Sequence, residues 1–283
     1  MPLLFDPGPE MTPAEFHLLR NLVNKFCGIR FAEGTKFVVE RRLRPRLEAL
    51  GLTDFRAYYE YLIFHARGET ELERAIDLLT TNETYFFRER YQLDAFANEV
   101  LPRLAKTYAA SKRLTIWSAG CSTGEEVYTI AMLIAATGKF EGWEVRVFGS
   151  DISRRVIQSA RRATYTQSSF RAMPSRYERY FEETREGRVV RPEIQAMCHF
   201  GHLNLLDRER SSIVGSVAAI FCRNVLIYFD DDSRRTVVRT FYERLAPGGY
   251  LMLGHSESLL RTSNDFELVH LKGDMVYRRP EAS

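Results

Sequence analysis

Residues 115–126 read TIWSAGCSTGEE, a β-branched and aromatic run that enters a small-residue loop and opens directly into a helical segment. Gly120 and Gly124 permit backbone angles and close approaches that a side chain would block, and the first helical turn offers N–H groups without intrahelical partners. A strand, such a loop and a helix start make a cradle for a cofactor. The loop matches neither G-x-x-x-x-G-K-[ST] nor G-x-G-x-x-G, and Glu125 and Glu126 stand where a phosphate would want positive charge. Two carboxylates suit a ligand that carries an amine. An adenosyl cofactor with a cationic amino-acid tail, S-adenosylmethionine (AdoMet), meets that demand better than NAD or ATP. The competing reading is that the pair complements the helix dipole.

Other candidates fall at the ends of predicted strands, where open parallel sheets bind their ligands. Asp151, closing Gly149-Ser150-Asp151, is placed to accept hydrogen bonds from both ribose hydroxyls or to cap the next helix. Arg223 and Asn224 are polar residues in the apolar run 221–229; they either find partners within the fold or line the pocket. Asn204-Leu205 follows a β-like stretch at 198–203 and is the weaker signal, since an Asn at a strand end is common turn chemistry. His255 reads as a locally hydrogen-bonded residue, because nothing nearby resembles a nucleophile, base and orienter set. The stretch 80–88, TTNETYFFR, is either a connector with packed aromatics or a lid contributing Asn82, Thr84 and Arg88.

The elements that would position these residues change character near residue 91. Before it, Thr12-Pro13 starts a helix that Gly28 ends, Lys36 to Leu50 forms a second with Gly51 as its stop, Asp54 or Thr53 caps a third, and Leu72 to Leu79 supplies a fourth. Beyond it, strands at 114–119, 144–150, 217–222 and 250–254 alternate with helices near 91–108, 125–137, 153–162 and 232–245, the last stopped by Pro247-Gly248-Gly249. A closing hairpin is predicted at 265–270 and 274–279, and the alternation fails between Tyr165 and Phe200, where SRYERYF, a charged turn ETREGR and Val189-Val190 read as a small insertion.

A chain of 283 residues with 45% hydrophobic content can bury one large core or two, and a net charge of +3 is too small to imply nucleic-acid binding. No apolar run reaches spanning length, and the start MPLLFDPGPE has neither a basic region nor a long apolar segment, so a cytoplasmic location is expected. Cys27, Cys121, Cys198 and Cys222 form no C-x-x-C pair, which argues against a disulfide framework or a zinc site.

Taken in order, TNETYFFRE at 81–89, WSAGCSTGEE at 117–126, SDIS at 150–153, NLL at 204–206, FCRNVLIYF at 221–229, PGG at 247–249 and GHSE at 254–257 resemble the chemotaxis receptor glutamate O-methyltransferases, the CheR family. The resemblance covers nearly the whole chain. It implies an α/β fold with a Rossmann-like AdoMet-dependent methyltransferase sheet at 81–283, an all-helical substrate-docking domain at 1–80, and a small β-subdomain inserted at about 165–200. Carried over by position, it implies that Asn82, Thr84, Arg88, Gly120, Glu126, Asp151, Asn204, Leu205, Arg223 and Asn224 form the AdoMet pocket. Glu126 would hold the amino-acid end, Asp151 the ribose, and Asn204-Leu205 the adenine side. Arg88 and Tyr228 would stand at the methyl-transfer point, with S-adenosylhomocysteine as product and no metal. Val127 departs from the family, which commonly has proline after the paired glutamates.

In this family the basic second helix reads the acidic methylation helices of receptors, so Arg41, Arg42, Arg44 and Arg46 are expected to dock that substrate. The alternative is a solvated charged face. Pro45 is expected to kink the helix. Some members bind a receptor's C-terminal pentapeptide through a β-subdomain loop. The turn around Glu183–Gly187 looks short, which favours action without that tether, and a monomer is the simpler assumption. An AdoMet enzyme acting on nucleic acid and a catalytically silent AdoMet-sensing module are the rival readings.

Overall fold

The computed structural model describes residues 8–281; residues 1–7, part of the start read above for a leader, and residues 282–283 lie outside them. The chain divides into two compact units, one running to Thr81 and including Tyr228–Asp230, the other formed by Asn82–Ile227 and the chain from Asp231 onward.

The first unit is helical. Helix α1 (Pro13–Cys27) begins with a reciprocal capping box, in which Thr12 Oγ1 accepts from Glu15 N–H at 3.3 Å and Thr12 N–H donates to Glu15 at 2.7 Å, and ends at Gly28 with φ 75°. Helix α2 (Lys36–Leu50) buries Val39, Leu43 and Leu47 and runs continuously through Pro45. Helix α3 (Phe55–Phe64) is capped by Asp54, whose carboxylate accepts from Ala57 N–H at 2.8 Å. Helix α4 begins a full turn earlier than its apolar pattern suggested and spans Gly68–Leu79. The tripeptide Tyr228–Asp230 joins this unit through an isolated antiparallel bridge between Ile29 and Phe229.

The second unit is a seven-stranded sheet with helices between its strands. Strands β1 (Arg113–Ala119), β2 (Glu144–Asp151), β3 (Thr164–Tyr165), β4 (Phe181–Thr184), β5 (Gly187–Val190), β6 (Cys198–His202), β7 (Val217–Cys222), β8 (Leu245–Leu253), β9 (Glu267–Leu271) and β10 (Asp274–Arg278) form two sheets, ordered β6-β2-β1-β7-β8-β10-β9 and β3-β5-β4. The first five strands of the large sheet run parallel, and β10 and β9 close it antiparallel. Both faces of the central strands are covered, which is why β7 is buried at every position and reads as a continuous apolar run. Connections to opposite sides of β1 put a topological switch point between the carboxyl ends of β1 and β7.

Helices α5 (Arg90–Ala95) and α6 (Leu101–Thr107) are joined by a π-helical turn, Phe96–Val100, where one long helix was expected. Pro102 explains the slip, because it has no N–H to give the carbonyl four residues back. Helices α7 (Glu125–Thr137), α8 (Arg154–Arg162), α9 (Pro192–Gln195) and α10 (Asp231–Arg244) complete the unit. Pro247-Gly248-Gly249 is not a free turn after α10. It lies inside β8, whose pairing with β7 shifts register between Val217 and Ala219, and Gly248 takes φ 75° there.

Between α8 and β6, β3, β5 and β4 make the inserted sheet. Glu183-Thr184 and Gly187-Arg188, read from sequence as part of a turn, are strand residues, and only Arg185-Glu186 separate β4 from β5. The chain then rejoins the main sheet, with β6 pairing parallel to β2 from Cys198 onward.

Candidate active site

The loop after β1 is shaped by its glycines. Gly120 has φ 79° and a Cβ there would lie 2.5 Å from Val225 Cγ2; Gly124 has φ 94° and caps α7 with its backbone. Gly120 and Cys121 N–H both donate to Ser150 O, at 2.8 and 2.9 Å, which ties the loop to the end of β2. Ser122 adopts φ 50° and points its N–H at Asp151 Oδ2, 2.9 Å away, while its hydroxyl donates to the Asn82 carbonyl at 3.1 Å. The connector, the loop and the end of β2 therefore meet at one point.

Asp151 is buried, and its second oxygen accepts from Ser153 N–H at 2.9 Å. It does not cap α8; Ser153 does, accepting from Val156 N–H. Backbone N–H groups from the loop and from the start of α8 thus orient the carboxylate at the end of β2.

The paired glutamates divide their work. Glu125 is buried and accepts from Thr123 Oγ1 at 2.7 Å and from Ser169 Oγ at 2.9 Å, so it fastens the loop to the inserted segment and does more than complement a dipole. Glu126 turns toward the ends of β1 and β7, accepting from Ser118 Oγ at 2.8 Å and from Arg223 at 3.2 Å. Burial pushes the Glu126 carboxyl up, with Arg223 pulling the other way. An ammonium ligand would add to that pull.

Arg223 settles between two carboxylates, 3.2 Å from Glu126 and 3.1 Å from Glu89, and also donates to the Arg88 carbonyl. Its side chain is 2% exposed, so it braces the pocket more than it faces solvent. Burial raises the Glu89 carboxyl, but the attraction of Arg223 and hydrogen bonds from His255, Arg223 and Asn224 outweigh it and hold the group below the usual range. His255 Nδ1 sits 3.0 Å from Glu89, the local contact expected of it. Asn224 has φ 59°; its amide nitrogen donates to Glu89 at 3.3 Å and its backbone N–H to Glu257 at 2.7 Å.

The remaining candidates sit as follows. Arg88 is half-buried, donates to Glu83 O at 2.8 Å and lies 5.9 Å from the Tyr85 ring centroid. Thr84 is half-buried in the same connector, which is anchored by Phe86 stacking on Phe170 at 5.2 Å and meeting Phe181 edge-on. Asn204 Oδ1 accepts from Leu206 N–H at 3.1 Å, turn chemistry that leaves Leu205 buried just past the end of β6. Tyr228 belongs to the helical unit, where its carbonyl accepts from Arg30 N–H at 2.8 Å and its side chain is exposed. Cys121 is buried and burial pushes its thiol well up, which removes it as a nucleophile.

The four arginines expected to dock the substrate do not form one solvated face. Arg46 makes two 2.7 Å contacts to buried Glu71, which also accepts from Tyr58; Arg42 donates to Leu79 O at 2.6 Å at the end of α4; Arg44 pairs with Glu40 at 2.6 Å. Arg41 is exposed, over the exposed Phe37 ring at 5.9 Å. The sequence shows four charges in a row but not that three already have partners within the unit.

Glu89 and Glu257 were not singled out from sequence. Glu89 closes the TNETYFFRE motif and Glu257 closes GHSE, so the motifs contained them, but only tertiary contacts give them work.

The residues fit AdoMet. Two buried atoms without partners among the described residues, the donor Arg223 Nε and the acceptor Asn224 Oδ1, complement a carboxylate and an ammonium.

The SAM binding domain of CheR methyltransferases matches residues 82–274 and their all-alpha domain matches residues 14–80. The chain is 37% identical over 273 residues to chemotaxis protein methyltransferase 2 of Vibrio cholerae serotype O1, covering 95% of this chain and 94% of that one. It is 34% identical to chemotaxis protein methyltransferase 1 of Pseudomonas aeruginosa, covering 94% and 97%, and 36% identical to the chemotaxis protein methyltransferase of Escherichia coli K12, covering 94% and 91%. With both domains matched in order and the relatives aligned along nearly their full length, the chain belongs to the CheR family of S-adenosylmethionine-dependent methyltransferases.

Proposed function

We propose that this chain methylates glutamate side-chain carboxylates on the cytoplasmic helices of chemotaxis receptors, forming methyl esters and S-adenosylhomocysteine. The observation that carries the reading is the near full-length similarity to proteins named chemotaxis protein methyltransferase, at 37% identity in the Vibrio cholerae case. When bound, AdoMet supplies an electrophilic methyl group on a sulfonium sulfur. An ionised glutamate is nucleophilic at neutral pH and needs no general base, so the residues of the chain have only to bind, align and exclude water.

In this reading Glu126 and the Arg223-Asn224 pair hold the amino-acid end, Asp151 the ribose, and Asn204-Leu205 the adenine side. Gly120 admits the ligand to the loop, and Asn82 and Thr84 border it from the connector. Arg88 and Tyr228 orient the acceptor carboxylate. A guanidinium that gripped the acceptor too tightly would damp its nucleophilicity, and Arg88 is already shared with the Glu83 carbonyl. Arg88→Ala should therefore lower kcat on receptor substrate; unchanged kcat and unchanged binding of both ligands would remove that role.

The enzyme acts in the cytoplasm as a monomer and without capturing a receptor pentapeptide. The two-residue turn between β4 and β5 supports the last point, and no helix among the described residues is long and apolar enough to cross a membrane. Calorimetry with a receptor C-terminal pentapeptide tests the tether, with measurable binding as the contrary result. The function itself is tested by tritiated-methyl transfer to receptor membranes, compared with RNA and DNA. Label in receptor protein supports it, and label in nucleic acid or in nothing rejects it.

A further inference from the structure

We propose that Glu257 is a positioning residue for the cofactor pocket, its carboxylate holding the segment after β7 in the one backbone conformation that places Arg223 and Asn224 at the ligand. The inference rests on the reading above that this pair borders AdoMet.

The Glu257 carboxylate accepts four backbone hydrogen bonds, from Asn224 N–H at 2.7 Å, Val225 N–H at 2.9 Å, Ile227 N–H at 3.3 Å and Gly254 N–H at 2.7 Å. It thereby gathers N–H groups beyond the ends of two neighbouring strands, β7 and β8, neither of which could supply an acceptor from its own ladder. Charge-assisted bonds of this kind are the strong ones, and a carboxylate has about four sites to receive them. What they hold is a left-handed turn residue. Asn224 stands at φ 59°, a region that asparagine tolerates better than most side-chain residues, and the four bonds select that conformation over the alternatives open to the loop.

The surroundings are built around the anchor. A Cβ on Gly254 would lie 2.8 Å from Glu257 Oε2 and 2.9 Å from Asn224 N, so the position has no room for a side chain. From the other side, Glu89 takes the Asn224 amide nitrogen at 3.3 Å and Arg223 at 3.1 Å. Asn224 is thus held by Glu257 through its backbone and by Glu89 through its side chain. Both grips orient the same atoms, Asn224 Oδ1 and Arg223 Nε.

Calorimetric binding of S-adenosylhomocysteine to the full chain tests this, with wild type, Glu257→Gln, Asn224→Ala and the double variant. An amide keeps the shape but has one oxygen to accept and brings donors against donors. Glu257→Gln should raise Kd about ten-fold or more. Because Glu257 acts through the segment that carries Asn224, the double variant should lose clearly less than the sum of the two single losses. Val276→Ala, which opens a cavity in β10, controls for lost stability and should leave Kd within about two-fold. A Glu257→Gln Kd near wild type beside a weakened Asn224→Ala, or losses that simply add, would overturn the role of Glu257 and leave the pocket standing. Unchanged binding in Asn224→Ala as well would overturn both.

Discussion

Replacing Arg223 by Gln removes the one cation between Glu89 and Glu126 while keeping a side chain of similar reach. The guanidinium is 2% exposed and its partners are 16% and 15% exposed, so the cluster is buried but not sealed. Breaking a fully buried ion pair by deleting one partner costs about 3–5 kcal/mol, and the residual water access here reduces that to about 2–3 kcal/mol at neutral pH. For a unit of this size each kcal/mol moves Tm by about 2–4 °C, which gives a fall of about 4–12 °C. The pH dependence carries the sharper test. In the wild type the Glu89 carboxyl is held low, so it contributes stability above its unfolded pKa that is lost as pH falls through the folded one. Without Arg223, Glu89 keeps only the hydrogen bonds of His255 and Asn224 against burial, and Glu126, already pushed up by burial, loses the attraction that opposed it, so both folded-state pKa values move up. An upward shift of that kind costs stability as pH rises through it. The gap between wild type and Arg223→Gln should therefore be wide at about pH 8 and narrow toward about pH 4.5, where both carboxyls take up protons. Scanning calorimetry across that range measures it. A gap independent of pH, or a variant as stable as wild type at pH 8, would refute the assignment of Arg223 as the counter-charge of this pair.

Four further outcomes follow from the geometry. Gly120→Ala places a Cβ 2.5 Å from Val225 Cγ2 at φ 79°, so it should cost about 1–3 kcal/mol of stability and weaken cofactor binding in calorimetry. Asp151→Asn keeps one acceptor oxygen where two backbone donors, Ser122 and Ser153 N–H, now need both, and should weaken AdoMet binding about ten-fold with a smaller loss of Tm. Arg46→Glu sets a second acid against buried Glu71 and should unfold the helical unit by circular dichroism. Arg41→Glu should leave stability within about 0.5 kcal/mol yet lower receptor methylation at low ionic strength, the two enzymes converging as salt rises.

What could be read from the sequence follows from how local each signal is. The bounds of α2, the cap at Thr12 and the loop at 120–124 rest on neighbours three or four residues apart, and the chain states them directly. The carboxyl ends of β1, β2 and β7 follow from strand alternation, and Glu126, Asp151, Arg223 and Asn224 gather there. The braces are different. Asn224 meets Glu89 across 135 residues and Glu257 across 33, and no periodicity announces either acid. Arg46 looks like one charge in a basic run until Glu71, 25 residues away, is found beneath it. The π-turn before Pro102 and the register shift in β8 at Pro247-Gly248-Gly249 have a local cause in proline, yet the chain could have met either need with a plain break. Only packing decides between those outcomes.

The most direct test of the account is the chemical form of the transferred methyl group. Receptor membranes incubated with the purified chain and methyl-labelled AdoMet should yield label that mild base releases as methanol, and peptide mapping should place it on glutamate side chains of the receptor's cytoplasmic helices. Base-stable label, or label on any residue other than glutamate, would contradict it.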